Sequence, residues 1–258
     1  MSSVNEHGLP RDIPDGVKRE VRQRAGFGCL VCGNAYCIYD HIAPAYVDAE
    51  KHEADHIYYL CGTCEGKRRR GVLADLTVFE AAKNPAALQK GFCREIFDVQ
   101  AVQPAIHFGS NVAVGCFHLV SLGGQPILSI APPEAVGAPF RLNAHFMDDE
   151  GKTTLCIVDN EWRAGIENWD VETIKNRIFI RKGSGQIVLV LRTEPPDNFY
   201  IERLNMAMNG YELACNGDSV FGRTPLGQSL TYSDCQVHGC YCAVALDQQQ
   251  IRFGASSL

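Results

Sequence analysis

Four cysteines fall in two knuckles, Cys29-x-x-Cys32 and Cys61-x-x-Cys64, with 28 residues between them. Each knuckle turns two thiolates toward one point, and four thiolates complete the tetrahedral shell of Zn²⁺. A closed shell leaves no position for substrate. The expected ion is therefore structural, one per chain, and it stands in for the hydrophobic core that a module of roughly 60 residues cannot build alone. The plain alternative is a set of buried thiols. Between and beside the knuckles lie groups of another kind: Asp40 next to His41, then His52 and His56, and Glu65 directly after the second knuckle. A carboxylate can hold a divalent cation, a neutral imidazole can deprotonate a water, and the cation can stabilise charge on a phosphate. Asp40-His41 thus suits metal-assisted phosphodiester hydrolysis. It also suits a core histidine satisfied by its neighbouring acid. Cations flank the segment on both sides, with Arg11, Lys18, Arg19, Arg22 and Arg24 before it and the run Lys67-Arg68-Arg69-Arg70 after it. They suit phosphate neutralisation or, more blandly, solvated helix faces and local salt bridges.

The elements that must position these groups are short. Pro14 opens a helix over 14–26 with Val17, Val21 and Ala25 on one face, and Gly26 and Gly28 end it. Residues 27–42 alternate around the first knuckle and predict a small hairpin, 43–55 a loop, and 62–70 and 75–83 two helices, the second closed by Asn84-Pro85. Residues 84–104 read as a linker or packing segment. From about 105 the texture changes to β-branched segments separated by Gly, Pro, Asn and Asp: Ile127–Ile130, Leu155–Val158, Arg177–Arg181, Ile187–Leu191 and Tyr200–Arg203, with Gly183-Ser184-Gly185 as a hairpin turn. The expected class is α+β: a zinc-stapled ββα-metal module in residues 1–100, then a mostly antiparallel, sandwich-like or jelly-roll-like domain in 101–258.

The chain has 258 residues, a formal charge of -6 and twelve cysteines. Its net acidity excludes wholesale basic character, so contact with nucleic acid must come from local patches. No apolar run approaches a membrane span, no export signal opens the sequence, and a reducing, cytoplasmic setting is expected, where clustered cysteines serve metals sooner than disulfides. The other cysteines share no clear spacing. His238-Gly239-Cys240-Tyr241-Cys242 suggests a second metal site, but its alternation fits a half-buried strand equally well. Trp162 and Trp169 read as core or turn packing rather than a ligand cage.

Residues 18–70 resemble the HNH, or ββα-metal, endonuclease module of the zinc-knuckle type. The matching features are the basic helix with Arg19 and Arg22, the first CxxC, Asp40-His41-Ile42-Ala43-Pro44, a loop histidine at His52, and Leu60–Cys64. The resemblance implies His41 as general base and Asp40 as ligand of a catalytic Mg²⁺ or Mn²⁺. His56 stands where that family usually has Asn, and Glu65 where it usually has His or Asn; there His56 would orient the base or bind metal, and Glu65 would ligate the cation. Asp159-Asn160-Glu161-Trp162 and Trp169-Asp170-Val171-Glu172 resemble a bacterial family with no assigned activity, in which an HNH module precedes a β-domain. The implied activity is hydrolysis of nucleic-acid phosphodiesters, DNA foremost, in restriction or phage defence, with the β-domain serving oligomerisation, partner recognition or steering. The competing expectation is a catalytically degenerate zinc module that binds nucleic acid or protein.

Overall fold

A computed structural model describes residues 4–256. Strands take up 46% of the chain and helices 15%, so the α+β class stands with β structure dominant. The chain forms two compact units. One runs to Glu95 and takes in Ala164–Thr173; the other comprises Ile96–Arg163 and the chain from Ile174 onward. The sequence had assigned residues 164–173 to the second domain.

In the first unit the elements are α1 (Asp15–Arg24), β1 (Cys37–His41), β2 (Ile57–Cys61), α2 (Gly62–Arg69), α3 (Asp75–Lys83), α4 (Ala86–Lys90) and β3 (Phe92–Ile96). Helices α1, α2 and α3 fall where the periodicity places them. The hairpin does not. Strand β1 pairs antiparallel with β2, from Cys37↔Cys61 to His41↔Ile57, so the hairpin closes across the loop 42–56 rather than within 27–42. The segment 84–104, expected as a linker or packing segment, holds α4 and β3. Ile13, Val21, Ala25, Leu30, Leu60 and Val78 pack around the cysteines as this unit's core.

Arg22 corrects an expectation. Expected as a phosphate contact, it is 3% exposed, on the inner side of α1. Its Nε and Nη2 donate to the two carboxylate oxygens of Asp170 at 2.9 and 2.8 Å, and its Nη1 donates to Glu172 Oε1 and to the Tyr39 hydroxyl. Asp170 and Glu172 lie on β11 (Asp170–Ile174), and Asp170 is 1% exposed. Such a fork satisfies both charges in place of water, and a guanidinium held this way is not available to a phosphate. Arg22→Met keeps the stem and strands the Asp170 charge. It is expected to destabilise this unit by about 3 kcal/mol, read as a lowered urea midpoint at unchanged slope. A loss under about 1 kcal/mol would mean that the pair is solvated in solution.

The second unit contains β4 (Ala105–Phe108), β5 (Asn111–Val114), β6 (His118–Leu122), β7 (Gln125–Ala131), β8 (Arg141–Met147), β9 (Thr153–Val158), β10 (Glu161–Gly165), β12 (Arg177–Gly183), β13 (Gln186–Glu194), β14 (Asn198–Met208), β15 (Tyr211–Cys215), β16 (Val220–Arg223), β17 (Ser229–Tyr232), β18 (Gln236–His238), β19 (Cys242–Leu246) and β20 (Ile251–Ala255). One sheet runs β20-β19-β6-β7-β8-β9-β10, and another runs β12 to β17 in sequence order. Ser184-Gly185 makes the expected hairpin turn, flanked by the pair Gly183↔Gln186. Most pairs are antiparallel as expected, but β4 with β14, β18 with β5 and β19 with β6 are parallel. These crossovers depart from a plain antiparallel sandwich, and the unit is not a clear one. Trp162 is fully buried and stacks on Phe97, in line with the packing role expected of it.

Candidate metal centre and the His41 site

The quartet Cys29, Cys32, Cys61 and Cys64 converges. All four sulfurs lie within 4.8 Å of one another, and among the described residues no other set of three or more His, Cys, Asp or Glu donors does so. Local structure explains the convergence. Cys29 N–H donates to Asn34 O and Gly33 N–H to Cys29 O, which curls the first knuckle. Cys61 ends β2 and caps α2, its sulfur accepting from Cys64 N–H at 3.5 Å. Hydrogen bonding from Cys32 holds the Cys29 thiol far below its ordinary value, and the same bond pushes Cys32 far above. Burial, with the charge of Cys29 next, pushes Cys64 up to about 12. One thiolate thus suppresses its neighbours, and a dication at the centre removes that opposition. The donor set fits structural zinc.

Cys37, which has no knuckle spacing, lies beside this centre. Burial raises its thiol well above the ordinary value, and its Sγ donates to Asn34 O at 3.0 Å, the carbonyl that also accepts from Cys29 N–H. The register Cys37↔Cys61 brings it there. Only strand pairing across the loop could have revealed it.

Asp40 and His41 stand at the end of β1, as expected. His41 Nε2 lies 3.1 Å from His52 Nδ1, and His52 Nε2 lies 2.8 Å from Pro10 O. A carbonyl only accepts, so His52 carries its proton on Nε2 and its Nδ1 accepts. His41 therefore donates through Nε2, and its Nδ1 keeps a free lone pair. Burial, with His52 second, lowers the His41 pKa, which favours that neutral form at pH 7. The N-terminal segment holds the relay in place: Asn5 Nδ2 donates to Tyr46 O and Ala49 O, and the Tyr46 hydroxyl donates to Leu9 O. Tyr46 packs edge-on against His41.

The expected cation ligands are engaged otherwise. Asp40 Oδ2 accepts from Arg68 Nη2 at 2.7 Å, and Arg68 also reaches Asp75 at 3.2 Å. Glu65 pairs with Arg69 one turn along α2. Hence Asp40 fits a divalent cation only if Arg68 is displaced. His56 is half exposed with Nδ1 3.1 Å from Glu53 Oε2, and no hydrogen bond joins it to His41 among the described residues. The histidine in hydrogen-bond contact with His41 is His52.

The basic patch is thinner than its sequence. Arg68 and Arg69 neutralise acids of their own surroundings, and Arg19 lies over the Trp169 ring at 4.8 Å. Lys67 and Arg70 are exposed, and among the described residues no carboxylate pairs with either. Among the described residues no helix is long and apolar enough to cross a membrane. Comparison with protein-family models, with curated proteins and with solved structures finds no match to this chain.

Proposed function

We propose that the chain is a metal-dependent endonuclease of the HNH kind, hydrolysing nucleic-acid phosphodiesters, DNA foremost, with His41 as general base. The observation that carries this reading is the relay His41–His52–Pro10 O, which leaves the Nδ1 lone pair of His41 free, while burial favours its neutral form. In this reading His41 takes a proton from the attacking water, and His52 holds the imidazole in the required tautomer and orientation. Asp40 is the ligand that a Mg²⁺ or Mn²⁺ would use once Arg68 has turned away, with Glu65 as a second acid on α2. Bound there, such an ion stabilises charge on the phosphate and the leaving oxygen. Lys67 and Arg70 neutralise flanking phosphates, joined by Arg68 and Arg69 when these leave their acids. The zinc quartet takes no chemical part. We assign the β-rich unit to homo-oligomerisation or recognition, the chain to the reducing cytoplasm, and its work to restriction or phage defence. The test is supercoiled-plasmid cleavage by the purified chain with Mg²⁺, Mn²⁺ or EDTA; absence of cutting of DNA and RNA under every divalent ion overturns it.

A second reading draws on the ion pairs. With Asp40 held by Arg68 and Glu65 by Arg69, the module is a zinc-stapled binder in which guanidinium groups replace the catalytic cation. Arg68→Ala separates the two. A charge-assisted hydrogen bond contributes about 1.5–3 kcal/mol, so removing Arg68 is expected to tighten Mn²⁺ binding about tenfold or more, followed by the electron paramagnetic resonance of free Mn²⁺. Unchanged binding would remove Asp40 as a ligand and favour the non-catalytic module.

A further inference from the structure

The motif His238-Gly239-Cys240-Tyr241-Cys242 gathers no metal donors: His238 and Gly239 are exposed, and Cys242 turns its sulfur to Val244 O. Instead, Cys240 meets Cys116, 124 residues earlier, at an Sγ–Sγ separation of 2.8 Å. That is closer than the 3.6 Å between Cys32 and Cys61 in the zinc quartet. The backbone builds this approach. Two Gly-Cys dipeptides, Gly115-Cys116 and Gly239-Cys240, face one another just ahead of the parallel strands β6 and β19. Both glycines adopt left-handed backbone, with φ of 71° and 61°. A Cβ on Gly115 would lie 3.4 Å from Gly239 N and 3.0 Å from Gln103 Nε2, so a side chain there would push the turns apart. Gly239 N–H donates to Val114 O, Phe117 N–H to Cys240 O and His118 N–H to Tyr241 O, on both sides of the sulfurs. The two thiols are thus held together by main chain, in the neighbourhood a disulfide needs. Beside them lies a cavity of about 220 Å³ walled by Cys116, Phe117, Ile130, Pro132 and Phe140. Phe117 is 53% exposed, and a small neutral molecule can enter there.

We propose that Cys116 and Cys240 form a reversible dithiol–disulfide couple, oxidised by hydrogen peroxide that enters this cavity. The Cys116 thiol passes its proton to the peroxide and its thiolate attacks one peroxide oxygen; the O–O bond breaks, a sulfenic acid forms and the departing hydroxide takes up that proton and leaves as the first water. Cys240 then attacks the sulfenic sulfur, the S–S bond forms and a second water leaves with the remaining proton. Two thiols give up two electrons, and the peroxide takes them. Burial, and then Cys116, raise the Cys240 thiol to about 12, which suits it to the second step rather than the first. The bond would lock together the entries to two adjacent strands and close a long loop in the second unit.

The test uses the full chain. After brief hydrogen peroxide treatment, N-ethylmaleimide alkylation and non-reducing peptide mapping, the Cys116 and Cys240 peptides are expected as one cross-linked species lacking two hydrogens. Dithiothreitol should reverse it while the zinc content stays unchanged. The melting transition of the oxidised chain should rise by roughly 5–10 °C, and Cys240→Ala should abolish that rise and leave Cys116 trapped as a sulfenic acid. Recovery of both cysteines alkylated after peroxide, or a cross-link of either to a different cysteine, overturns the proposal. The mapping is done on the wild-type chain and so does not depend on the folding of any variant.

Discussion

Cys61→Ser is expected to leave the N-terminal unit unfolded and without zinc. The quartet lies within that unit's core: Cys29, Cys61 and Cys64 are buried among Ile13, Val21, Leu30, Ile57, Tyr59, Leu60 and Val78. Structural zinc in small modules contributes about 10–16 kcal/mol of apparent binding free energy, more than the roughly 5–15 kcal/mol by which a whole domain is stable. Serine offers a shorter, harder and far less acidic donor, so the site loses both a ligand and its tetrahedral closure. Cys61 does two further things: its sulfur caps α2, and its position opposite Cys37 sets the register of β1 against β2. The damage should therefore spread to the strand end that carries His41. Hydrogen-exchange mass spectrometry should show loss of protection over residues 15–83 while the strands of the second unit keep theirs, and elemental analysis should fall from one zinc per chain to none. A folded, reduced wild-type chain that contains no zinc would refute the assignment.

How far these groups could be read from the sequence follows from the range of the interactions. The quartet was legible because a CxxC turn is a local code, two donors on one curl of backbone. Helices α2 and α3 were legible for the same reason. Partners fixed by pairing over long separations were not. Cys37 comes beside the cysteine quartet only through its register with Cys61, and Arg22 loses its surface role only because Asp170 and Glu172 arrive from 148 and 150 residues away. The two Gly-Cys dipeptides were visible as residues, yet nothing local says that they meet. Arg68 is the instructive intermediate. A run of four cations reads as one patch, but α2 turns successive members in different directions, so that Arg68 reaches Asp40 while Lys67 stays in solvent. His52 and His56 are four residues apart in the sequence, and the fold gives them different contacts: His52 meets His41 and Pro10 O, and His56 meets Glu53.

His41→Ala is expected to abolish cleavage while leaving zinc content, folding and nucleic-acid binding in place. Loss of a general base typically costs about 10²–10⁴-fold in rate. The stability cost should be small, because His41 is half-buried at a strand end and its one side-chain hydrogen bond is to another imidazole. His52→Ala should fail by a different route. The chemistry of His41 remains, but its tautomer is no longer fixed, so kcat should fall less than in His41→Ala while KM stays unchanged. His52→Gln keeps a carbonyl acceptor for His41 Nε2 and an amide donor for Pro10 O, and should recover part of the loss. His56→Asn, which removes no hydrogen bond of the relay, should cut as the wild type does. This order, with His41→Ala lowest, His52→Ala next, His52→Gln partly restored and His56→Asn intact, is specific to the relay. If wild type and His41→Ala cut alike in Mn²⁺, the activity arises elsewhere. If His56 variants fail where His52 variants do not, the base is oriented from the other side of the loop and the tautomer argument falls with it.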